Sequence, residues 1–349
     1  MAFLFNRTDW GRIRLTGADR VRFLHNQTTN HIAQLQPGEG CHTAFVSSTG
    51  RTIDLATAFV FESSLLVVVS PGMAQTLYEW MDRYIFFSDK VTLTDESEQT
   101  FMFTLVGEDA LSIVQQLDTA NKPEDSSLEN LAPYAHQTIR SLQLTAPITI
   151  AATTDLALSG YTLWGDRTDA ERVENLLIAA GAEPQSASAW EALRIQQGRP
   201  MAGAELTDED NPLESGLWHT VSFEKGCYIG QETIARLNTY KGVKKRLWGL
   251  QLQRALPSET DLSEWAIAID GHKVGRLTSL SASGDFALGY VRTKAGGEGL
   301  AVLIEHSAKT AELETAELET ANLEIAAIQA QTVALPFIRH AYPTENDAR

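Results

Sequence analysis

The sequence predicts an α+β protein in which two α/β segments precede a small β-barrel or sandwich. Three observations carry this expectation. Helical and strand periodicities alternate up to about residue 240. Beyond that point the pattern is strand-rich, with short spacing and glycine turns. At 349 residues the chain is also long for a single hydrophobic core. The expected segments are 1–98, 99–240 and 241–349.

In chain order, Arg12 to Leu15 alternates like a strand, and Asp19 to Gln27 carries Phe23, Leu24 and Gln27 at helical spacing. Strand signals follow at Thr43–Val46, Ile53–Phe61 and Leu65–Val69. Leu77, Trp80, Met81 and Tyr84 mark one apolar helix face, and Val91–Leu93 reads as another strand. The second segment opens with a strand at Phe101–Val106 and a helix around Asp109–Leu117, then a polar loop from Asn121 to Glu129. Thr168 with Glu171, and Ser188 with Glu191, have the spacing of capping boxes for two further helices, closed by Gly181 and Gly198. Beyond residue 240, Trp248–Leu252, Ala266–Ile269, Lys273–Leu280 and Ala287–Val291 read as strands. The repeat over 310–324 is expected to be a tolerated insertion, because leucines five residues apart make no helical stripe.

Composition narrows the function. Lys plus Arg total 28 against 45 Asp plus Glu, a formal net charge of -17, which disfavours direct nucleic-acid binding. The first residues lack the pattern of a signal peptide, and the most apolar run, Leu65–Val69, is too short to span a bilayer. With Cys41 and Cys227 alone no disulfide framework is implied, and a cytoplasmic location away from membranes is expected. Two cysteines cannot supply the four thiolates that commonly hold an iron–sulfur cluster. The histidines show no ligand spacing, so no metal site is expected.

The informative stretch runs from Trp190 to Trp248. Cys227 lies in Lys225-Gly226-Cys227-Tyr228-Ile229-Gly230-Gln231-Glu232, with a cation two residues away and a helix start just beyond. Both features favour a thiolate, the reactive form, so Cys227 and Lys225 are the candidate catalytic residues; the competing reading of Cys227 is a small packed hydrophobe. Cys41, beside His42 in an apolar strand, is expected to react more slowly. Arg236, Lys241, Lys244, Lys245 and Arg246 form a local basic patch that suits a small anionic ligand or, on the competing reading, is a solvated basic turn leading into the barrel. The carboxamide of Gln196 suits the edge of a flat heterocycle. Glu191 is assigned instead to its capping box. Asp54 alternates with buried strand positions and is either an inward carboxylate or a polar residue at a bend. Asp208-Glu209-Asp210 lacks the glycine of a calcium loop and reads as solvated.

These residues also carry a family likeness. Leu193-Arg194 with Gly198, Asn211-Pro212-Leu213-Glu214-Ser215-Gly216-Leu217 and the Lys225–Gly230 turn resemble the core of the glycine-cleavage T-protein (aminomethyltransferase) superfamily. Asp19-Arg20, Phe23-Leu24, Thr29-Asn30, Gly38 and Gly50 with Asp54 fit its opening pattern, and Val333-Ala334-Leu335-Pro336-Phe337 resembles its last barrel strand. The cysteine-bearing string from Lys225 to Glu232 is similar to that of the YgfZ-type branch.

The resemblance implies a three-domain ring of two α/β (ferredoxin-like) units and a C-terminal antiparallel β-barrel, binding tetrahydrofolate or a one-carbon derivative in a central opening. On it, Asp54, Gln196, Arg236, Lys241, Lys245 and Arg246 are the expected folate-binding residues. It further implies support for the assembly or repair of iron–sulfur client proteins, including cluster-containing tRNA-modifying enzymes. Two departures bear on an aminomethyl transfer. T-proteins typically carry Glu where Gln196 stands, and Asp-Asp-Leu where this chain has Asp54-Leu55. The alternatives are therefore an aminomethyltransferase of glycine cleavage and a folate-binding scaffold without covalent chemistry.

Overall fold

The computed structural model describes residues 1–117, 128–257, 259–306 and 327–340. The insertion at 310–324 and most of the loop expected at 121–129 lie outside them. The chain divides into two compact units, Met1–Trp190 with Thr220–Gln231, and Glu191–His219 with Glu232–Arg349.

The first unit holds two sheets. One contains β2 (Gly11–Thr16), β3 (Gly40–Val46), β4 (Thr52–Val60), β5 (Ser64–Val69) and β6 (Thr92–Asp95) in the order β3-β4-β5-β2-β6, every pair antiparallel. Their β-branched and aromatic content favours extended backbone. Helices α1 (Arg20–Gln27) and α2 (Ala74–Asp82) send Phe23, Leu24, Leu77, Trp80 and Met81 into a core with Ile13, Phe45 and Val67. The helix face read from the sequence is thus the buried one.

The other sheet has the order β11-β1-β7-β10-β9-β8. It consists of β1 (Ala2–Asn6), β7 (Thr100–Val106), β8 (His136–Ile139), β9 (Ile148–Ala151), β10 (Gly160–Asp166) and β11 (Ala182–Gln185). Strand β1, from the first expected segment, joins this second sheet, antiparallel to β7 and parallel to β11. Helices α3 (Ala110–Gln115) and α4 (Ala170–Ala179) cover it with Ile113, Val114, Val173 and Leu177.

Both expected capping boxes are displaced. A short 3-10 turn at Arg167–Asp169 precedes α4, and Asp166 rather than Thr168 accepts the capping N–H, from Thr168 itself. Helix α5 (Ala187–Gln197) likewise uses Ser186, whose hydroxyl accepts from Ala189 N at 3.1 Å. In each case an acceptor upstream takes one orphan N–H, in the 3-10 turn before α4 and in the first turn of α5. Glu191, released from that role, pairs with Arg194.

After α6 (Gln231–Thr239), the second unit forms a closed barrel of β12 (Lys245–Leu252), β13 (Trp265–Ile269), β14 (His272–Leu280), β15 (Phe286–Arg292), β16 (Ala301–His306) and β17 (Ala327–Val333). Closure removes both edges, and alternate residues such as Leu250, Ile267, Ile304 and Ile328 fill the interior. The last strand is Ala327–Val333, earlier than the Val333–Phe337 run the sequence pointed to. Its inward residues are Ile328, Ala330 and Thr332, and one small and one polar side chain among the three hide it from a hydrophobic scan. Leu335 and Phe337 are buried without joining the barrel strands.

Candidate functional site

Helix α1 ends at Gln27, and its last carbonyls have no partner within the helix. Lys225 supplies one. Its ammonium donates to His25 O, to Thr28 O at 2.6 Å and to Asn30 O at 2.8 Å. A cation at the negative end of a helix is favourable, and here it also turns the chain out of the helix. Lys225 is buried, and burial pushes its pKa down to about 7, with Cys41 acting weakly the other way. A neutral amine has two N–H bonds for three carbonyls, so the hydrogen bonding opposes the effect of burial.

Beyond Lys225 the chain makes the cysteine turn. Cys227 is exposed, while Tyr228 is buried with its ring 4.8 Å from the Lys225 ammonium. Ile229 N donates to Asn26 O at 3.2 Å, and Gln231 N to Tyr228 O at 3.2 Å as α6 begins. Gly230 has φ +78°, and a Cβ there would stand 2.4 Å from Ser47 O, so no other residue fits. The thiol is therefore presented to solvent on a turn fastened before and after it. Among the described residues Cys227 makes no hydrogen bond, and the Lys225 N–H bonds are all directed at carbonyls. Cys41, by contrast, is partly buried in β3, and burial pushes its thiol up to about 12.

Asp54, also in the first unit, is fully buried in β4. Its carboxylate accepts from Leu55 N at 2.9 Å, Ser70 N at 2.8 Å and Ser70 Oγ at 2.6 Å, which ties β4 to the end of β5. Of the two sequence readings, the inward carboxylate is the one observed.

The remaining candidates belong to the second unit. Gln196 is exposed on α5, whereas its neighbour Arg194 is buried against Glu191, Glu205 and Ser279. Lys245 is 2.6 Å from Asp210 and donates to Glu209 O. Asp210 is itself fully buried, accepting from Thr207 Oγ1 at 2.6 Å and Arg276 at 2.7 Å. The acidic loop read as solvated thus contains one residue that anchors two cations. Its sequence signal was the pair of distant basic residues, which spacing cannot match to it. Arg236 and Lys241 are exposed, Arg246 is half-buried, and among the described residues none of the three forms an ion pair. The basic patch is divided: Lys245 is neutralised internally, and Arg236, Lys241 and Arg246 have no such partner among the described residues.

Residues 1–225 match the family described as GCVT N-terminal domain. An Arabidopsis thaliana protein named "Putative transferase At1g60990, chloroplastic" is 42% identical over 299 residues, 84% of this chain and 66% of that protein's length. The chain thus spans just under two thirds of that relative. An aminomethyltransferase from Shouchella clausii is 26% identical over 286 residues, covering 80% of this chain and 74% of its own. The crystal structure of glycine cleavage system aminomethyltransferase T from Bartonella henselae superposes with a TM-score of 0.77 at 18% identity, over 98% of this chain and 88% of that one. At that identity the likeness is one of fold, and it includes the mixed α/β region and the closed barrel. No helix among the described residues is long and apolar enough to cross a membrane. With nearly two thirds of its length matched, the chain belongs to the GCVT-domain family of the T-protein (aminomethyltransferase) superfamily.

Proposed function

We propose that this protein binds tetrahydrofolate, or a one-carbon derivative of it, and supports the assembly or repair of iron–sulfur proteins in the manner of the YgfZ-type branch. The observation that carries the reading is the exposed Cys227 on its braced turn. A thiol held at the surface by a buried lysine and a close-packed glycine suits transient contact with a client protein better than a packing role. The cations of Arg236, Lys241 and Arg246, with no ion pair among the described residues, fit the carboxylates of a folate tail, and the exposed Gln196 carboxamide fits a pterin edge. Folate would supply the one-carbon chemistry. The expected clients include cluster-containing tRNA-modifying enzymes, and the expected compartment is cytoplasmic.

The test is complementation of a YgfZ-deficient bacterium by wild type and by Cys227→Ala, beside calorimetric titration with tetrahydrofolate. Rescue by wild type alone, with folate binding kept in both, supports the reading. Full rescue by Cys227→Ala would favour a scaffold without covalent chemistry.

A second reading, an aminomethyltransferase of glycine cleavage, is favoured by relatives such as that of Shouchella clausii. Against it stand the amide at Gln196 and the absence of a second acid beside Asp54. Lipoyl-protein-dependent formation of methylenetetrahydrofolate by the purified protein would establish it.

A further inference from the structure

In the first unit the chain leaves α2 through Tyr84-Ile85-Phe86-Phe87, and these four apolar residues divide into two pairs. Tyr84 and Ile85 pack onto the core that holds Trp80 and Met81, with the Tyr84 ring 5.0 Å from that of Trp80. Phe86 and Phe87 do not. Phe86 is 67% exposed and Phe87 105%, the highest exposure of any large apolar side chain among the described residues. Single apolar residues scattered on a surface are ordinary, but two adjacent phenyl rings in water mark a contact site.

The loop that carries the rings is braced. Phe86 N donates to Asp89 Oδ2 at 2.9 Å and Asp89 N to Phe86 O at 2.9 Å, so both rings ride on a closed turn. That turn is fastened to the start of α1. Arg22, in the first turn of the helix, donates to Asp89 Oδ1 at 3.2 Å. Lys90 N donates to Asp19 Oδ2 at 2.9 Å, and Asp19 N to Lys90 O at 3.1 Å. Folding the rings back onto the core would break these bonds. A tip already ordered in the free protein loses little further freedom when it binds.

What covers the rings follows from their area and surroundings. Two phenylalanines remove roughly 300–400 Å² from water on one side of a contact, at about 150–200 Å² each. Doubled across a two-fold axis this is at most about 800 Å², short of the roughly 1,200 Å² at which stable interfaces begin, so the pair does not hold two copies together. Anionic lipid is disfavoured by the carboxylates of Asp19, Asp82 and Asp89 near the rings, on a chain of net charge -17. The exposed neighbours Asp82, Arg83, Ser88 and Lys90 are polar and of both signs. An apolar centre with such a rim has the anatomy of a small protein–protein contact, and its area belongs to the transient class.

The turn of Cys227 is fastened to the other end of the same helix, where Lys225 donates to His25 O and Thr28 O and Ile229 N donates to Asn26 O. The eight residues of α1 span about 12 Å. We propose that Phe86 and Phe87 are the knob by which this protein docks into an apolar pocket of its client, with α1 setting the distance from that anchor to Cys227. That the client is an iron–sulfur protein rests on the proposed function; the knob itself rests on the exposure and bracing of the two rings.

The test compares wild type with Phe86→Ser/Phe87→Ser and Phe86→Leu/Phe87→Leu, each as the full chain. Calorimetry measures binding to a purified cluster-containing tRNA-modifying enzyme, and each protein is tried for rescue of a YgfZ-deficient bacterium. The serine variant is expected to bind the enzyme about tenfold more weakly, the scale of a lost interface anchor, and to lose rescue. Its urea midpoint, tetrahydrofolate affinity and native Cys227 alkylation should stay at wild-type values. The leucine variant should keep both binding and rescue, since it keeps apolar bulk at the tip. Equal binding and rescue by the serine variant would overturn the knob and leave the proposed function standing, and a lowered urea midpoint would overturn it by showing the rings to be packed. Absence of both binding and rescue in wild type would remove the proposed function and its client together. Cosedimentation of wild type, but not of the serine variant, with phosphatidylcholine vesicles would make a lipid surface the occupant. Dimers in sedimentation velocity that the serine variant loses would make it a second copy. Either result overturns the proposal.

Discussion

Lys225 and the Lys241–Arg246 cluster are both short basic features near the same family motif, yet the structure uses them in opposite ways. Lys225 is buried and spends each N–H on a backbone carbonyl at the end of α1. Lys241 and Arg246 carry charge that no described residue neutralises, with Lys245 between them turned inward to Asp210. Sign and position in sequence were equal evidence for catalysis, binding or packing. The difference lies in the partner, and for Lys225 that partner is a helix end roughly two hundred residues earlier. A buried cation of this kind fastens backbone, whereas an exposed one keeps its charge in solvent.

The largest effect should come from breaking the buried arrangement. Lys225→Met would leave carbonyls at His25, Thr28 and Asn30 without a donor, at a cost of about 3 kcal/mol, in the range for several unsatisfied buried acceptors. Urea unfolding would measure it. A loss below about 1 kcal/mol would mean that water replaces the ammonium easily and that the turn is not braced as described.

The same residue should leave a signature in pH. Burial lowers the Lys225 pKa from 10.5 to about 7, so between those values the unfolded chain binds more protons than the native one. Stability should therefore climb as pH rises from 7, and the rise should be missing in Lys225→Met. The usable window closes near pH 9, where Cys41, raised from 9.0 to about 12 by burial, begins to contribute with the opposite sign. On the acid side, His25, His136 and His340 are each lowered from 6.5 to about 4, chiefly by burial. Their contribution is complete above 6.5 and is lost as pH falls through 4. Urea midpoints at steps between pH 4 and 9, for wild type and Lys225→Met, would show both slopes.

Local periodicity made most of this fold legible. The faces of α1 and α2, the strands of the first sheet and four of the six barrel strands follow from apolar spacing that survives in the structure. What escaped was non-local. Strand β1 is short, and its place beside β7 and β11 is set by pairing with segments far along the chain, such as Leu4 with Leu105 and with Pro184. Strand β17 turns only Ile328, Ala330 and Thr332 inward, too weak an apolar signal to register. The caps shifted because Asp166 and Ser186 each stand two residues upstream of the motif that drew attention. At the candidate site, Cys227 and its glycines stood out because a turn is a local object. The burial of Asp210 did not, since the cations around it come from segments far apart in sequence.

The two cysteines sharpen the contrast between buried and exposed groups within one unit. At pH 8 a thiol with a pKa of about 12 has a thiolate fraction on the order of 10⁻⁴, so Cys41 should resist iodoacetamide in the native protein. Cys227, exposed on its turn, should take the label, and Cys227→Ala should abolish most native alkylation. Mass spectrometry of peptides from native and urea-unfolded samples would resolve the sites. If Cys41 labels as fast as Cys227 before unfolding, the first sheet opens locally and burial does not control its reactivity.

The smallest effects belong to the basic cluster, and they separate its two kinds of cation. Lys245→Ala removes a partner from the buried Asp210, which keeps Arg276 at 2.7 Å and Thr207 at 2.6 Å. The expected loss is about 1 kcal/mol of stability, because a partly exposed pair contributes little when other donors remain. Arg246→Ala and Lys241→Ala remove no ion pair among the described residues, so stability should stay within about 0.5 kcal/mol, as for ordinary surface positions. On the proposed folate reading, each should instead weaken tetrahydrofolate binding about threefold, the scale of one solvent-exposed charge contact. Raising the salt concentration should erode binding in wild type more than in either variant, since screening acts on the contact the variant has already lost. Unfolding curves and calorimetric titrations on the same three proteins decide the matter. If Lys245→Ala loses affinity at unchanged stability while Arg246→Ala unfolds early, the assignment of inward and outward charge is reversed.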